Sequence, residues 1–325
     1  MPLAVKFLIF LIALACFWAW VMHRAGQHEA AAEAEFAPQG QLLTVNGTQV
    51  HTQVFGPQDG SVPDVVLLHG SGGNLRDMTL DLAPALASDY RVILLDRPGH
   101  GFTDRINTTG ATLQEQAHLL AAAARQLGAD KPIVLGHSFG GAVALAWAVH
   151  EPDSLSALVP LAAASHPWDT GLPFFYKVTS HPLLAPVVNP LLASFVPDTR
   201  VESGVASVFA PNPVPQGYLH HFGAALTLRR DALRANALQR RNLLGQIKAM
   251  VPLYDQIAVP TEIVHGADDI TVGVAIHSEP LAKAIPDAVL TPLPGVGHMP
   301  QHAAQDEVIA AIHRAAARAG LRPGP

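Results

Sequence analysis

The chain is predicted to fold as an α/β protein, and three observations predict it. Short apolar runs of strand length recur along the sequence. Most are separated by Ala/Leu-rich stretches in which apolar residues return at the spacing of a helix face. Strand, helix, strand at this spacing demands right-handed crossovers, hence a mostly parallel sheet covered on both faces.

Composition agrees. The 325 residues carry 20 Lys+Arg against 26 Asp+Glu, a net charge of −6 with histidine neutral, which excludes a polybasic nucleic-acid binder. At 49% hydrophobic and 14% charged, the chain has material for a core and too little charge for intrinsic disorder. Glycine and proline are scattered without a fixed period, so collagen-like and repeat architectures fail. Cys16 is the only cysteine, which leaves the body of the chain without a disulfide, a cysteine metal site or a thiol nucleophile.

The first element stands apart from that fold. Between Leu3 and Met22 the only charge is Lys6. The apolar stretch from Phe7 to Met22 would rise about 24 Å as a helix, against a bilayer hydrocarbon core of roughly 30 Å. Lys6 at one edge and Trp18 and Trp20 at the other suit a short single span. The alternative is a cleaved signal peptide and a secreted protein. Its small-x-small sites, Ala30 to Ala32 and Ala32 to Ala34, lie well past the apolar end at Met22. Phe17 and Trp18 continue the apolar run beyond Cys16, which argues against a lipid-modified cysteine. Lys6 and the amino terminus, weighed against Arg24, place the N-terminus inside and the bulk of the chain outside the cytoplasm. Gln27 to Gly40, rich in Ala and Glu, reads as a solvated stalk, so residues 1–40 form an anchor or signal segment plus stalk.

The strands follow in order: Leu42 to Val45, Gln49 to Phe55, Val65 to Leu68, Arg91 to Leu95, Ile133 to Leu135, Leu155 to Leu161, Thr261 to Val264 and Val289 to Leu293. Asn46-Gly47 between the first two is a type I′ hairpin signal. Leu113 to Leu127 and Val308 to Ala319 carry helical periodicity. From Ser165 to about Tyr254 the alternation stops. Ten prolines fall between Pro160 and Pro215, against five charged residues, Asp169, Lys177, Asp198, Arg200 and Glu202. Such a segment suits short, kinked helices laid over the strand ends, where open α/β sheets bind ligands. The division expected is a core in two parts, 41–164 and 255–325, with a helical cap over 165–254.

The turns carry the chemistry. The strand ending at Leu135 runs into Gly136-His137-Ser138-Phe139-Gly140-Gly141 and then a helix from Ala142 to His150, which is G-x-S-x-G placed as a nucleophile elbow. The serine must project from a strained turn, and side chains at Gly136 or Gly140 would collide where helix and strand approach. A serine hydroxyl needs a base to take its proton and a third group to hold that base. Acid and base are expected in chain order after the serine. Asp268-Asp269 ends the strand Thr261 to Val264, and His298 follows the strand Val289 to Leu293. Both sit at strand ends and enter the same crevice as Ser138. Two backbone N–H groups must then face the oxyanion. Phe139, opening the helix after the nucleophile, supplies one, and Ser71, in the turn His69-Gly70-Ser71-Gly72-Gly73, the other. That glycine turn lacks a Gly-Lys-Ser/Thr ending and does not complete G-x-G-x-x-G, so it is not read as a nucleotide site.

With these residues in place the chain resembles the α/β-hydrolase superfamily from Leu42 to Ala319. The resemblance rests on His69-Gly70, on Asp96-Arg97-Pro98-Gly99-His100-Gly101, on the elbow, on Gly266 to Asp269, and on Gly297-His298 with Pro300. It implies a cofactor-free hydrolase working through an acyl-enzyme, and it favours Asp269 over Asp268 because the acid stands three residues after Gly266. Ser138 replaces the aspartate with which haloalkane dehalogenases and epoxide hydrolases attack. The Ser71-Gly72-Gly73 turn differs from the glycine-rich oxyanion turns of carbon–carbon hydrolases and proline iminopeptidases. Ala303 stands where relatives often carry glutamate, a position read as structural. The expectation is a serine esterase or monoacyl lipase acting on a lipophilic ester, with nucleophile Ser138, base His298, acid Asp269 and oxyanion donors Ser71 and Phe139. Alternatives are haloperoxidase-like or carbon–carbon bond hydrolysis with the same triad, or a non-catalytic ligand-binding protein.

Other features read as structural. His69, His100 and His137 are expected to shape their turns by local hydrogen bonds. His220-His221 and His298 with His302 lack the partners of a metal site, and no metal or cofactor is implied. Arg229, Arg230, Arg234, Arg240 and Arg241 crowd one cap segment around Asp231, with Leu226, Leu233, Leu243 and Leu244 free to pack inward. This is a solvated helix face or, beside a membrane span, a surface for anionic headgroups.

Overall fold

The computed structural model describes residues 1–322. Strands β1 (Gln41–Val45), β2 (Thr48–Phe55), β3 (Asp64–Leu68), β4 (Arg91–Leu95), β5 (Ile133–His137), β6 (Ala157–Leu161), β7 (Glu262–Gly266) and β8 (Val289–Leu293) fall within two residues of the eight predicted runs. They form one sheet in the order β1-β2-β4-β3-β5-β6-β7-β8. The pairs β1/β2 and β2/β4 are antiparallel, and every pair from β4 to β8 is parallel. Asn46 and Gly47 join the first hairpin with φ of 51° and 81°, the paired positive values a type I′ turn requires.

The period-two alternation of the strands divides the core into two layers. On one face Val66, Leu68, Ile93, Leu95 and Val134 pack under α4 (Leu113–Gln126) and α5 (Phe139–His150). On the other, Val65, Leu67, Val92, Leu94 and Leu135 pack under α2 (Arg76–Thr79), α3 (Leu82–Leu86) and α13 (Gln305–Arg318). The central strands, covered on both faces, are buried at almost every position, as parallel strands in such a sandwich must be. α4 starts with a capping box between Thr112 and Glu115, which satisfies two of the free N–H groups of its first turn.

Between β6 and β7 lie only helices: α6 (Phe174–Ser180), α7 (Ala185–Phe195), α8 (Asp198–Ser207), α9 (Tyr218–Phe222) and α10 (Arg230–Met250), joined by 3₁₀ turns. Two short helices, α11 (Ser278–Ala284) and α12 (Pro300–Ala303), flank β8.

The N-terminal segment departs from expectation. It is one helix, α1 (Leu3–Glu35), apolar enough to cross a membrane over its first part. The stretch expected to be a solvated stalk continues this helix and docks on the cap. Val21, Ala25, Ala32 and Phe36 are buried. Arg24 Nε donates to the Ser194 carbonyl at 2.8 Å, and Arg230 forms a two-pronged pair with Glu29, both bonds at 2.7 Å. Arg229 pairs with Glu33 at 2.8 Å. The physical reason is charge matching between one face of α1 and the start of α10. The same pairs correct the reading of the arginine cluster. Arg229 and Arg230 serve the helix rather than solvent or headgroups, and Arg240 stacks on the Tyr176 ring. Arg241 is exposed.

Candidate active site

Ser138 sits between β5 and α5 at φ 56°, ψ −115°, a conformation L-residues adopt only when the surroundings enforce it. The glycines around it explain how. A Cβ on Gly136 would strike the Gly140 carbonyl, and one on Gly140 would strike the carbonyls of Leu68 and His69. The elbow is also pinned to β6, since Ser138 N donates to the Leu161 carbonyl at 2.9 Å.

His298, after β8, brings its Nε2 to 2.9 Å from Ser138 Oγ, and its Nδ1 donates to Asp269 Oδ2 at 2.6 Å. All three side chains are buried, on loops at the same ends of their strands. Asp268, the neighbour, is exposed, with its N–H on the Val296 carbonyl. Asp269 is held from several sides. Thr271 N and Val272 N donate to Oδ1 at 2.7 and 2.9 Å. Burial would raise its pKa, but hydrogen bonds from His265, His298 and Val272 N prevail and hold the carboxyl well below the usual range. His298 thus faces a fixed acceptor, which sets its Nδ1–H tautomer and leaves Nε2 free to take the hydroxyl proton.

The N–H groups of Ser71 and Phe139 donate to no protein acceptor among the described residues. Their turns are held by groups the sequence did not single out for that task. Arg97 is wholly buried; its Nε donates to the His69 carbonyl at 3.0 Å and one Nη to the Gly70 carbonyl at 2.9 Å. Its guanidinium lies 4.4 Å from the centre of the Phe139 ring. The turns that carry these two free N–H groups are therefore braced by one cation. Burial lowers the pKa of Arg97 to about 9, with Asp96 opposing the shift, so it remains charged at neutral pH. Asn236, from α10 of the cap, accepts from Ser71 Oγ at 2.8 Å and Gly72 N at 3.0 Å.

The motif histidines shape turns. His69 donates from Nδ1 to the Gly70 carbonyl and accepts at Nε2 from Arg97 N. His100 contacts the Pro98 carbonyl. His137 donates from Nε2 to the His298 carbonyl at 2.8 Å. Of the histidines weighed as metal ligands, His302 meets Asp77 at 3.1 Å and His221 meets Thr79 at 2.8 Å, while His220 is exposed beside Phe36. Asp77 also accepts from Tyr218 of the cap at 2.6 Å. Two further residues escaped the sequence reading. His265 places Nε2 at 2.7 Å from the Val272 carbonyl and 3.2 Å from Asp269 Oδ2. His277 accepts at Nδ1 from Ser165 N and His166 N. No motif or spacing marks either.

Ser138 and His298 open into a cavity of about 530 Å³ under the cap, with apolar walls that include Leu192, Val196, Val205, Leu228 and Leu233. A hydroxyl and an imidazole at the floor of a mostly apolar cavity, a carboxylate behind the imidazole and free N–H groups on Ser71 and Phe139 suit nucleophilic attack on a carbonyl.

A family model described as alpha/beta hydrolase fold matches residues 63–304. Haloalkane dehalogenase 2 of Mycobacterium tuberculosis is 27% identical over 267 residues, which cover 78% of this chain and 88% of that protein. Among solved structures, an alpha/beta hydrolase fold protein from Burkholderia ambifaria superposes with a TM-score of 0.68 at 23% identity, covering 84% of this chain and 96% of the other. A membrane phospholipase A, described as a bacterial virulence factor, superposes with a TM-score of 0.64 at 19% identity and covers 98% of this chain and 99% of its own.

Proposed function

Because the chain belongs to the α/β-hydrolase family and is an enzyme of that family, we propose that it hydrolyses carboxylic esters through an acyl-enzyme on Ser138. The observation that carries this reading is the continuous set of contacts from Ser138 Oγ through His298 to Asp269, at 2.9 and 2.6 Å. Ser138 Oγ attacks the ester carbonyl as its proton passes to His298 Nε2. The N–H groups of Ser71 and Phe139 hold the oxyanion. The tetrahedral adduct collapses, and the leaving alkoxide takes the proton from His298. Water, deprotonated by the same nitrogen, then attacks the acyl group, and Ser138 recovers its proton as the acid leaves. Asp269 holds the imidazole and balances its transient charge.

The likeness to a haloalkane dehalogenase belongs to the fold. A serine that displaced a halide from carbon would be left as an alkyl ether, with no carbonyl for water to attack, and turnover would stop. The apolar cavity favours a lipophilic acyl chain. We further propose that α1 is a retained anchor, and, from Lys6 and the amino terminus weighed against Arg24, that the catalytic domain lies outside the cytoplasm. Two features support retention: the docking of Arg24, Glu29 and Glu33 on the cap, which cleavage after Ala32 or Ala34 would sever, and a superposition on the membrane phospholipase A that extends over 98% of the chain. A panel of esters from acetyl to long-chain monoacylglycerol, assayed on membranes carrying the full chain, tests the reading. Turnover of esters that Ser138→Ala abolishes is expected; failure to hydrolyse any member overturns it.

A further inference from the structure

The cap carries an apolar surface that none of the described residues covers. Phe174 at 80% and Leu183 at 78% are among the most exposed large apolar side chains outside α1, and Phe175, Leu184, Val187 and Phe195 are exposed with them. All six come from α6, α7 and the turn between, two helices packed against each other. From Gly171 to Pro197 the only Lys, Arg, Asp or Glu is Lys177. A contiguous exposed patch of this kind marks a contact surface.

Its position identifies the occupant. α7 packs against α1 at the level where the apolar run of α1 ends. Ser194 Oγ donates to the Val21 carbonyl at 2.9 Å, Arg24 Nε donates to the Ser194 carbonyl, and the Trp20 and Phe195 rings lie 5.6 Å apart. From Phe7 to Trp20 the residues are apolar and, apart from the half-buried Trp18, exposed, whereas Arg24, His28 and Glu29 after Val21 pair with the cap. The boundary between hydrocarbon and water on α1 therefore falls beside the C-terminal end of α7, and the uncovered faces of α6 and α7 lie next to it. No exposed acid in this surface would oppose an anionic leaflet or specify a protein partner.

We propose that the exposed face of α6 and α7, from Phe174 to Phe195, inserts into the leaflet that α1 enters, so that the cavity takes its acyl substrate laterally from the bilayer. The same two helices supply cavity wall: Phe175 is at once exposed on the patch and part of the lining, with Tyr176, Leu192 and Val196 behind it. A lipid acyl chain thus passes from the leaflet to Ser138 along one continuous apolar path. The inference rests on reading α1 as a span and on the ester chemistry, and it names a bilayer-resident acyl ester as the substrate class.

The test uses the full chain with Cys16→Ser, one bimane label at Phe174→Cys or Leu183→Cys, and a control label at Leu8→Cys in α1. Each is reconstituted in vesicles of phosphatidylcholine and phosphatidylglycerol, with or without brominated phosphatidylcholine. Bromolipid quenching of about twofold or more at both patch positions, alongside quenching at Leu8, is the expected result. Quenching at Leu8 alone, with patch labels that emit as in water, overturns the proposal. So does a blue-shifted but unquenched patch, which would mean that a second copy of the chain covers it. Loss of quenching at Leu8 removes the anchor and the insertion surface together. In a second arm, Phe174→Asp with Leu183→Asp lowers hydrolysis of a vesicle-resident monoacylglycerol about tenfold and leaves a soluble short-chain ester within about twofold. Equal rates on both substrates contradict lateral entry. Absence of all ester turnover would indict the chemistry alone, since the quenching arm reports insertion without it.

Discussion

His137 Nε2 donates to the carbonyl oxygen of His298 at 2.8 Å, so the residue that precedes Ser138, the proposed nucleophile, holds the loop that carries His298, its proposed base. The two imidazole rings lie 4.9 Å apart, and burial followed by the nearby His298 pushes the His137 pKa down to about 4. His137 is therefore a neutral positioning group. His137→Ala should lower kcat about 10- to 100-fold with little change in KM, the cost of an unpaired buried carbonyl and a displaced base. His137→Gln, which restores an N–H donor, should recover part of the loss. A rise in KM alone would contradict the positioning role.

Arg97 braces both proposed oxyanion donors, through the His69 and Gly70 carbonyls and the face of the Phe139 ring. Arg97→Met should reduce kcat/KM by roughly 10²-fold, the scale of a lost oxyanion donor. Arg97→Lys should not restore it, because an ammonium lacks the planar fork that reaches two carbonyls. Steady-state kinetics on p-nitrophenyl butyrate, with circular dichroism to verify folding, decides the matter.

In the proposed mechanism Ser71 contributes its backbone N–H, while its hydroxyl is bonded to Asn236. Ser71→Ala should remain within a few-fold of wild type, since Asn236 Oδ1 still accepts from Gly72 N at 3.0 Å. Asn236→Leu should cost more, about 10-fold in kcat, because it releases the turn from the cap. Asn236→Asp keeps the acceptor and should lie between them. Reversal of the order of Ser71→Ala and Asn236→Leu would mean that the hydroxyl itself touches substrate.

Burial holds three histidines neutral: His100, pushed down to about 3, and His137 and His277, to about 4, with Arg97, His298 and His265 respectively as the next cause. In the unfolded chain each titrates near 6.5. Between these values the unfolded state binds more protons, so stability is complete above about pH 6.5 and is lost as pH falls toward 4. Each contributes on the order of 2 kcal/mol of that loss by pH 5. His51 has the opposite sign: burial lowers its pKa, but Asp96 prevails and raises it, so its contribution is lost on going alkaline. The thermal midpoint should fall steeply from pH 6.5 to 5, and His277→Asn should flatten part of that slope. A midpoint constant over this range would contradict the account.

The strands were legible because buried parallel strands read as uninterrupted Val, Ile and Leu runs, and Val65 to Leu68 or Arg91 to Leu95 admit no other packing. Ser138 and His298 were legible because a strained elbow demands glycine at 136 and 140 and its partners must follow at strand ends, whereas the choice of Asp269 over Asp268 came from the family resemblance alone. What the sequence hid is pairing across distance. Glu29 with Arg230 and Glu33 with Arg229 join residues about two hundred positions apart, and no local pattern distinguishes such acids from a solvated stalk. Asn236 escaped for the same reason: it acts on the Ser71-Gly72 turn more than 160 positions away. His265 bonds within its own turn, to Asp269 and the Val272 carbonyl, and was missed because a strand-end histidine carries no motif of its own.

The central claim is that Ser138 is acylated and released by water. Intact-mass spectrometry after brief mixing with a p-nitrophenyl ester, followed by peptide mapping, tests it most directly. The account predicts one acyl adduct per chain, on the peptide containing Ser138, decaying at the rate of turnover and absent from a folded Ser138→Ala protein that has lost p-nitrophenol release. An adduct on another residue, or undiminished release by Ser138→Ala, would contradict it.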